Sequence, residues 1–187
     1  MRRSSAQPMV YASFLIALGI LIPIMMPVRI VIGPASYTLG SHIPVMLAMF
    51  ISPKVAVMVA LGTAFGFFLT APFIIVMRAF THVVFAYFGA LYLEMSPQSI
   101  QSNKRIWVFN VVLGVLHAAC EVLVVTIFFM MDNSGEAVYT PAFFQTVIVL
   151  VGFGGFIHSL IDFSLSLIIA RKIGNRFKFP TFLEATK

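Results

Sequence analysis

The chain has 187 residues, 60% of them hydrophobic and only 10% charged, with a mean hydropathy of +1.03. That balance excludes a soluble domain, in which about half the residues are apolar and a quarter charged, and it describes an integral, multi-pass protein of the cell membrane. The formal charge of +6 would permit a nucleic-acid partner, but membrane topology accounts for it below and none is expected.

The N-terminal Met1-Arg2-Arg3-Ser4-Ser5 precedes an apolar run from about 9 to 32. No small-residue cleavage site interrupts that run, so it reads as a retained first helix rather than a secretory leader. A polar loop, 33 to 42, follows, with Gly33, Pro34 and Gly40 as turn residues. A helix needs about 20 apolar residues to cross the hydrocarbon layer. Further spans are expected at about 43–53, 55–71, 73–95, 106–131 and 141–170, with a cytoplasmic tail at 171–187. Pro53 and Lys54 separate the second and third, because proline removes a backbone donor and biases Ser52 away from the helical region. The expected architecture is a single all-α membrane domain over 1–187, a six-helix bundle with both termini cytoplasmic.

The positive-inside rule supports that layout. Arg2, Arg3, Lys54, Lys104, Arg105, Arg171, Lys172, Arg176, Lys178 and Lys187, ten of the twelve basic residues, fall on one side. Arg29 falls on the other, Arg78 lies within the membrane, and Asp132 and Glu136 occupy an outer loop. No internal repeat of the kind that builds secondary transporters from two halves is present.

Ionisable side chains at bilayer depth cost roughly 2.5 to 3.5 kcal/mol each on insertion scales and are functional candidates by default. Three helices carry such a pair at i, i+4, on one helix face: Arg78 with His82, His117 with Glu121, His158 with Asp162. Counting a rise of about 1.5 Å per residue from the helix ends puts the first two pairs in the outer half. The same count puts His158 and Asp162 in the inner half, as a structural lock between helices. The functional reading is an outward-facing solute pocket of Arg78, His82, His117 and Glu121, roofed by the 33 to 42 loop with Tyr37 and His42. The plainer reading is an Arg78–Glu121 ion pair that knits two helices, with the histidines bonded to backbone. Asn110, on the same face as His117, is expected to cap or bridge helices.

Small residues recur at Ser13, Ala17 and Gly19 in the first span and at Gly62 and Gly66 in the third, a spacing that lets helices approach closely in lipid. Gly62 and Gly66 read as intramolecular packing, whereas Ser13 and Ala17 offer a docking face. Twenty Phe and eleven Met suit adaptable packing and lipid-facing bulk. The single cysteine, Cys120, excludes an internal disulfide and a cysteine-based metal cluster. No Walker motif, HExxH or GxSxG occurs, so the chain carries no ATPase or hydrolase signature; no enzyme activity, cofactor or metal is expected.

In its layout, and specifically over 31-VIGPASYTLGSHIPVMLAMFISPKVAVMVALGTAFGF-67 with its "IGP…HIPV…SP" cadence, the chain resembles the substrate-binding S component of energy-coupling factor (ECF) vitamin transporters. The family's helix-one AxxxA stands here as Ser13-xxx-Ala17. The resemblance implies partners, a transmembrane coupling protein and two cytoplasmic ATPases, and a subunit that binds its vitamin outside and topples to release it inside. Within the family it leans toward the hydroxymethylpyrimidine or pyridoxine type, with niacin and pantothenate as rivals. Arg78 suits a carboxylate such as niacin, whereas Glu121 with histidines suits the ring nitrogens and hydroxyls of a neutral heterocycle, favoured if the two charges pair. Tyr37, Phe80 or Phe85 could stack on its ring. An ion-coupled transporter acting alone and a membrane enzyme are the competing classes.

Overall fold

The computed structural model describes residues 6–132 and 140–186. Arg2, Arg3, Glu136, Lys187 and the side chain of Asp132, all used in the charge count, lie outside what is described. Four helices are long and apolar enough to cross a membrane: α1 (Ala6–Met25), α4 (Phe73–Met95), α5 (Asn103–Asp132) and α6 (Pro141–Ile173). Between α1 and α4 lie strands β1 (Arg29–Ile32) and β2 (Ala35–Thr38) and helices α2 (Ile43–Met49) and α3 (Pro53–Phe67). A 3-10 turn at Pro97–Gln101 precedes α5, and a short α7 (Pro180–Ala185) follows α6.

The first departure from the expected all-α architecture begins at Pro27, just past the end of α1. The apolar run of 9 to 32 does not stay helical. Its end, Arg29-Ile30-Val31-Ile32, rich in β-branched residues, forms the first strand of an antiparallel hairpin, pairing Arg29 with Thr38 and Ile32 with Ala35. The two-residue turn is Gly33-Pro34, with Gly33 at φ +56°, a left-handed conformation that glycine adopts without a Cβ clash. Hydropathy alone reads such a strand as more helix.

The second departure is α2. At seven residues it spans only about 10 Å, too short to cross a membrane, and all of it from Pro44 to Met49 is buried. Its lower end rests on an aromatic cluster in which Phe50 lies 6.2 Å from Phe163 and 5.6 Å from Phe182, with Phe109 behind Phe163. His42, at its upper end, therefore sits in the interior rather than in a roof. The chain reaches that depth through residues 38 to 42, non-helical backbone tolerated there because it is enclosed by protein.

Ser52 caps α3 by accepting from the Val55 amide at 3.2 Å, and Pro53 opens the helix, which gives the break between α2 and α3 its physical basis. Helix α3 lies against α1: Cβ atoms at Gly62 and Gly66 would run into Ile16 and Ile20, and one at Gly19 into Thr63. The glycine pair is thus intramolecular packing, as its spacing suggested. Asn110 bridges α5 to α6, donating to the Leu160 carbonyl at 3.2 Å and lying 3.3 Å from the Ser164 hydroxyl. The residues beyond Ile173 are not a free tail. Phe179 and Phe182 are buried in the core, and the Tyr11 hydroxyl donates to the Phe177 carbonyl at 2.8 Å.

Candidate functional site

All four histidines of the sequence, with Glu121 and Asp162, converge behind the hairpin. The His42 ring lies edge-on to three others, with centroid distances of 4.7 Å to His82, 4.6 Å to His117 and 5.0 Å to His158. The depth count separated His158 and Asp162 from the other pairs; the structure joins them. That count measured each helix from its end, but α6 begins with a π-helical run, Phe144–Gly154, in which each turn takes in more residues. His42 then descends to meet it.

Asp162 is a staple. One carboxylate oxygen accepts from the Gly40 amide at 2.8 Å, and the other from the His42 amide at 3.0 Å and the His42 Nδ1 at 3.1 Å. Buried amides with no strand or helix partner must find acceptors elsewhere, and this carboxylate supplies them. The lock expected of Asp162 exists, but it holds the 40 to 42 segment to α6 as well as sitting one turn from His158.

Glu121 is arranged differently. Its Oε2 accepts from Arg78 Nη2 at 2.9 Å, while Oε1 faces His117 Nε2 at 3.4 Å and His82 Nε2 at 3.6 Å. Arg78 also donates through Nη1 to the Pro34 carbonyl, tying the hairpin turn to α4. The ion pair is therefore real, and it joins three elements rather than two. Glycine makes room for it: a Cβ at Gly155 would lie 3.1 Å from Glu121 Oε2. Several polar atoms here have no hydrogen-bond partner among the described residues, namely Arg78 Nε, His82 Nε2 and both ring nitrogens of His117.

A cavity of about 380 Å³ opens beside this cluster. Arg78, His82, His42 and Glu121 form its polar wall, Arg29, Thr38 and Ser41 come from the hairpin region, Thr63, Phe67 and Thr70 from α3 and beyond, and Pro23 and Ile24 from α1. Of the six residues expected to bind solute, four line the cavity. His117 lies behind them, wholly buried against Phe85 at a ring distance of 4.9 Å. Tyr37 points away, its hydroxyl donating to the Leu150 carbonyl in the π-helical run; burial raises its pKa above the ordinary phenol value, which keeps it a donor. Phe85 packs against histidines and Phe80 against Phe65 and Phe68, so neither is the stacking ring. The aromatic on the cavity is Phe67. The threonines and Arg29 escaped the sequence reading because a hydroxyl in an apolar helix and a basic residue in a loop carry little signal.

Over 185 residues the chain is 39% identical to the niacin transporter NiaX of Lactococcus lactis subsp. cremoris (strain MG1363), a match that covers 98% of this chain and 82% of that protein. The chain belongs to the NiaX transporter family. It is a multi-pass transport protein of the cell membrane, and membership supports the S-component resemblance drawn from residues 31 to 67. It does not support the lean toward hydroxymethylpyrimidine or pyridoxine. No family model and no solved structure matches the chain.

Ser13 and Ala17 are exposed on the outer face of α1, whereas Ala12, Leu15 and Gly19 face inward.

Proposed function

We propose that this chain is the solute-binding S component of an ECF-type importer and that its solute is niacin, captured in the cavity beside Arg78. The observation that carries the reading is the 39% identity to a niacin transporter along almost the whole chain, and the cavity's chemistry agrees with it. A pyridine carboxylate needs a cationic or hydrogen-bonding wall for its carboxylate, an apolar slot for its ring and a polar contact for its ring nitrogen. Arg29 and the unpartnered Nε of Arg78, with the hydroxyls of Thr38, Thr63 and Thr70, serve the first; Phe67 and Ile75 the second; His82 the third.

The wider arrangement follows from the same reading. The membrane is crossed six times, the short α2 together with the enclosed 38 to 42 segment making the second crossing and α3 the third, and both termini face the cytoplasm. Support comes from the described basic residues: Lys54, Lys104, Arg105, Arg171, Lys172, Arg176 and Lys178 gather where α7, the Pro97–Gln101 turn and the start of α1 meet, away from the cavity. The exposed Ser13–Ala17 face is the docking surface for a transmembrane coupling protein, which carries two cytoplasmic ATPases.

Nicotinate binding to the purified chain, measured by calorimetry, tests the solute. Specific binding that competes poorly with hydroxymethylpyrimidine, pyridoxine and pantothenate is expected; tighter binding of any of these overturns the assignment. Uptake by cells expressing the chain with and without coupling protein and ATPases tests the assembly. Robust uptake by the chain alone would replace this reading with an ion-coupled transporter. Replacing Ser13 and Ala17 by leucine should abolish partner-dependent uptake while leaving nicotinate binding to the isolated subunit unchanged.

A further inference from the structure

We propose that His42, His82, His117 and Glu121 form a binding site for a divalent transition-metal ion of the zinc class, set in the wall of the solute cavity. This departs from the expectation that no metal is bound.

Four observations carry it. Each of the four residues offers one ligand atom within 4.8 Å of the others, and all four are buried. The Glu121 Oε1 distances of 3.4 Å to His117 Nε2 and 3.6 Å to His82 Nε2 are close to the edge of a tetrahedron with metal–ligand bonds of about 2.0 to 2.1 Å, which is roughly 3.3 to 3.4 Å. Neither nitrogen makes a hydrogen bond, and a ring nitrogen buried without a partner costs about 1 to 3 kcal/mol. A cation between these atoms removes the cost at both Nε2 atoms and engages the carboxylate, leaving only His117 Nδ1 of these ring nitrogens without a partner among the described residues.

The supporting contacts are those a metal site requires. His42 Nδ1 faces Asp162 Oδ2 at 3.1 Å. With the proton on Nδ1, shared with that carboxylate, Nε2 presents a lone pair; such carboxylate–histidine pairs fix tautomer and ring orientation at metal centres. Arg78 holds the other oxygen of Glu121 at 2.9 Å, leaving Oε1 free to ligate. Donors of three imidazoles and one carboxylate favour zinc, cobalt, nickel or copper over magnesium or calcium. The neighbouring set of His42, His158 and Asp162 is the weaker candidate, because both Asp162 oxygens already accept backbone amides.

The ion also changes the charge of the wall. Arg78 and Glu121 cancel one another, whereas with the ion bound the ion, Glu121 and Arg78 together carry two net positive charges and attract an anionic solute. The site itself does not depend on which solute binds.

The test uses the full chain in detergent, purified without a histidine tag. Cobalt(II) titration without nicotinate should give visible d–d absorption of tetrahedral intensity saturating at one ion per chain, and zinc should displace it. His82→Gln and Glu121→Gln should each weaken cobalt binding at least tenfold, with folding checked by gel filtration and helical circular dichroism, whereas Cys120→Ala should bind as the parent does. No stoichiometric uptake by the parent chain overturns the proposal. So does uptake unchanged in both variants, or uptake lost in His158→Gln but kept in His82→Gln. Nicotinate affinity is then measured on metal-free and zinc-loaded protein, and an affinity at least tenfold higher in the loaded form is expected. Metal uptake without any nicotinate binding would sink the niacin reading alone; nicotinate binding without metal uptake would sink the ion alone.

Discussion

The two buried acids among the described residues sit alike in sequence, each four residues after a histidine on a long helix, and they end in opposite situations. Asp162 is saturated: two backbone amides and a histidine use both its oxygens. Glu121 is half-committed, with Oε2 on Arg78 and Oε1 facing two histidine nitrogens without a hydrogen bond. Asp162 is therefore where the fold is fixed, and Glu121 is where the protein retains capacity to bind. A helix-borne His-xxx-acid pair does not reveal which of these it is; the backbone that comes to meet it decides.

Glu121→Gln should separate the two acids most sharply. It leaves Arg78 buried and charged without its partner, a loss of roughly 3 to 5 kcal/mol in buried pairs, so lower thermal stability and at least a hundredfold weaker nicotinate binding are expected. A variant that binds like the parent would mean that Glu121, too, is purely structural. Asp162→Asn should cost about 1 to 3 kcal/mol, the range for leaving buried donors unsatisfied, and should show as faster hydrogen exchange at Gly40 and His42 with a weaker effect on nicotinate. If it abolishes binding while those amides stay protected, the division of roles fails. Gly155→Ala sets a methyl group 3.1 Å from Glu121 Oε2 and should weaken nicotinate binding several-fold with little change in melting temperature. The smallest effect is expected from Tyr37→Phe, which removes one hydrogen bond to Leu150 worth about 1 kcal/mol and should leave affinity within about twofold.

Much of this was legible in the sequence. Insertion cost flagged the intramembrane ionisable residues, the i, i+4 spacing paired them, and Arg78, His82, His42 and Glu121 do share a cavity wall. Pro53 with Ser52 marked the break between α2 and α3 correctly. What could not be read was depth. Isoleucine and valine at 28 to 32 are equally apolar in strand and helix, the π-helical run leaves no compositional mark, and α2 is short because Pro44 and Pro53 bracket it, not because it is polar. Each of these moves a side chain along the membrane normal, and together they bring His42 and Asp162 within hydrogen-bonding reach. The solute's identity was illegible for another reason. A paired Arg78 and Glu121 look neutral from sequence, and a neutral wall argues for a neutral heterocycle rather than for the carboxylate of the proposed solute.

The staple at Asp162 has a mechanical consequence. The hairpin is fastened along its second strand and trailing edge, through Ala35, the Tyr37 hydroxyl, Gly40 and His42, while its leading strand, Arg29 to Ile32, is exposed along its whole length and the turn carries the Arg78 contact at Pro34. A leaf secured along one edge and latched at its tip swings on the secured edge. The hinge line would run along the second strand into residues 39 to 42, and the latch is the same arginine that lines the cavity, so an anionic guest that draws Arg78 toward itself would loosen the Pro34 contact as it settles. Hydrogen exchange should reveal this as an asymmetry: slow amides at Gly40 and His42 with or without nicotinate, and amides of Arg29 to Ala35 whose rates change when it binds.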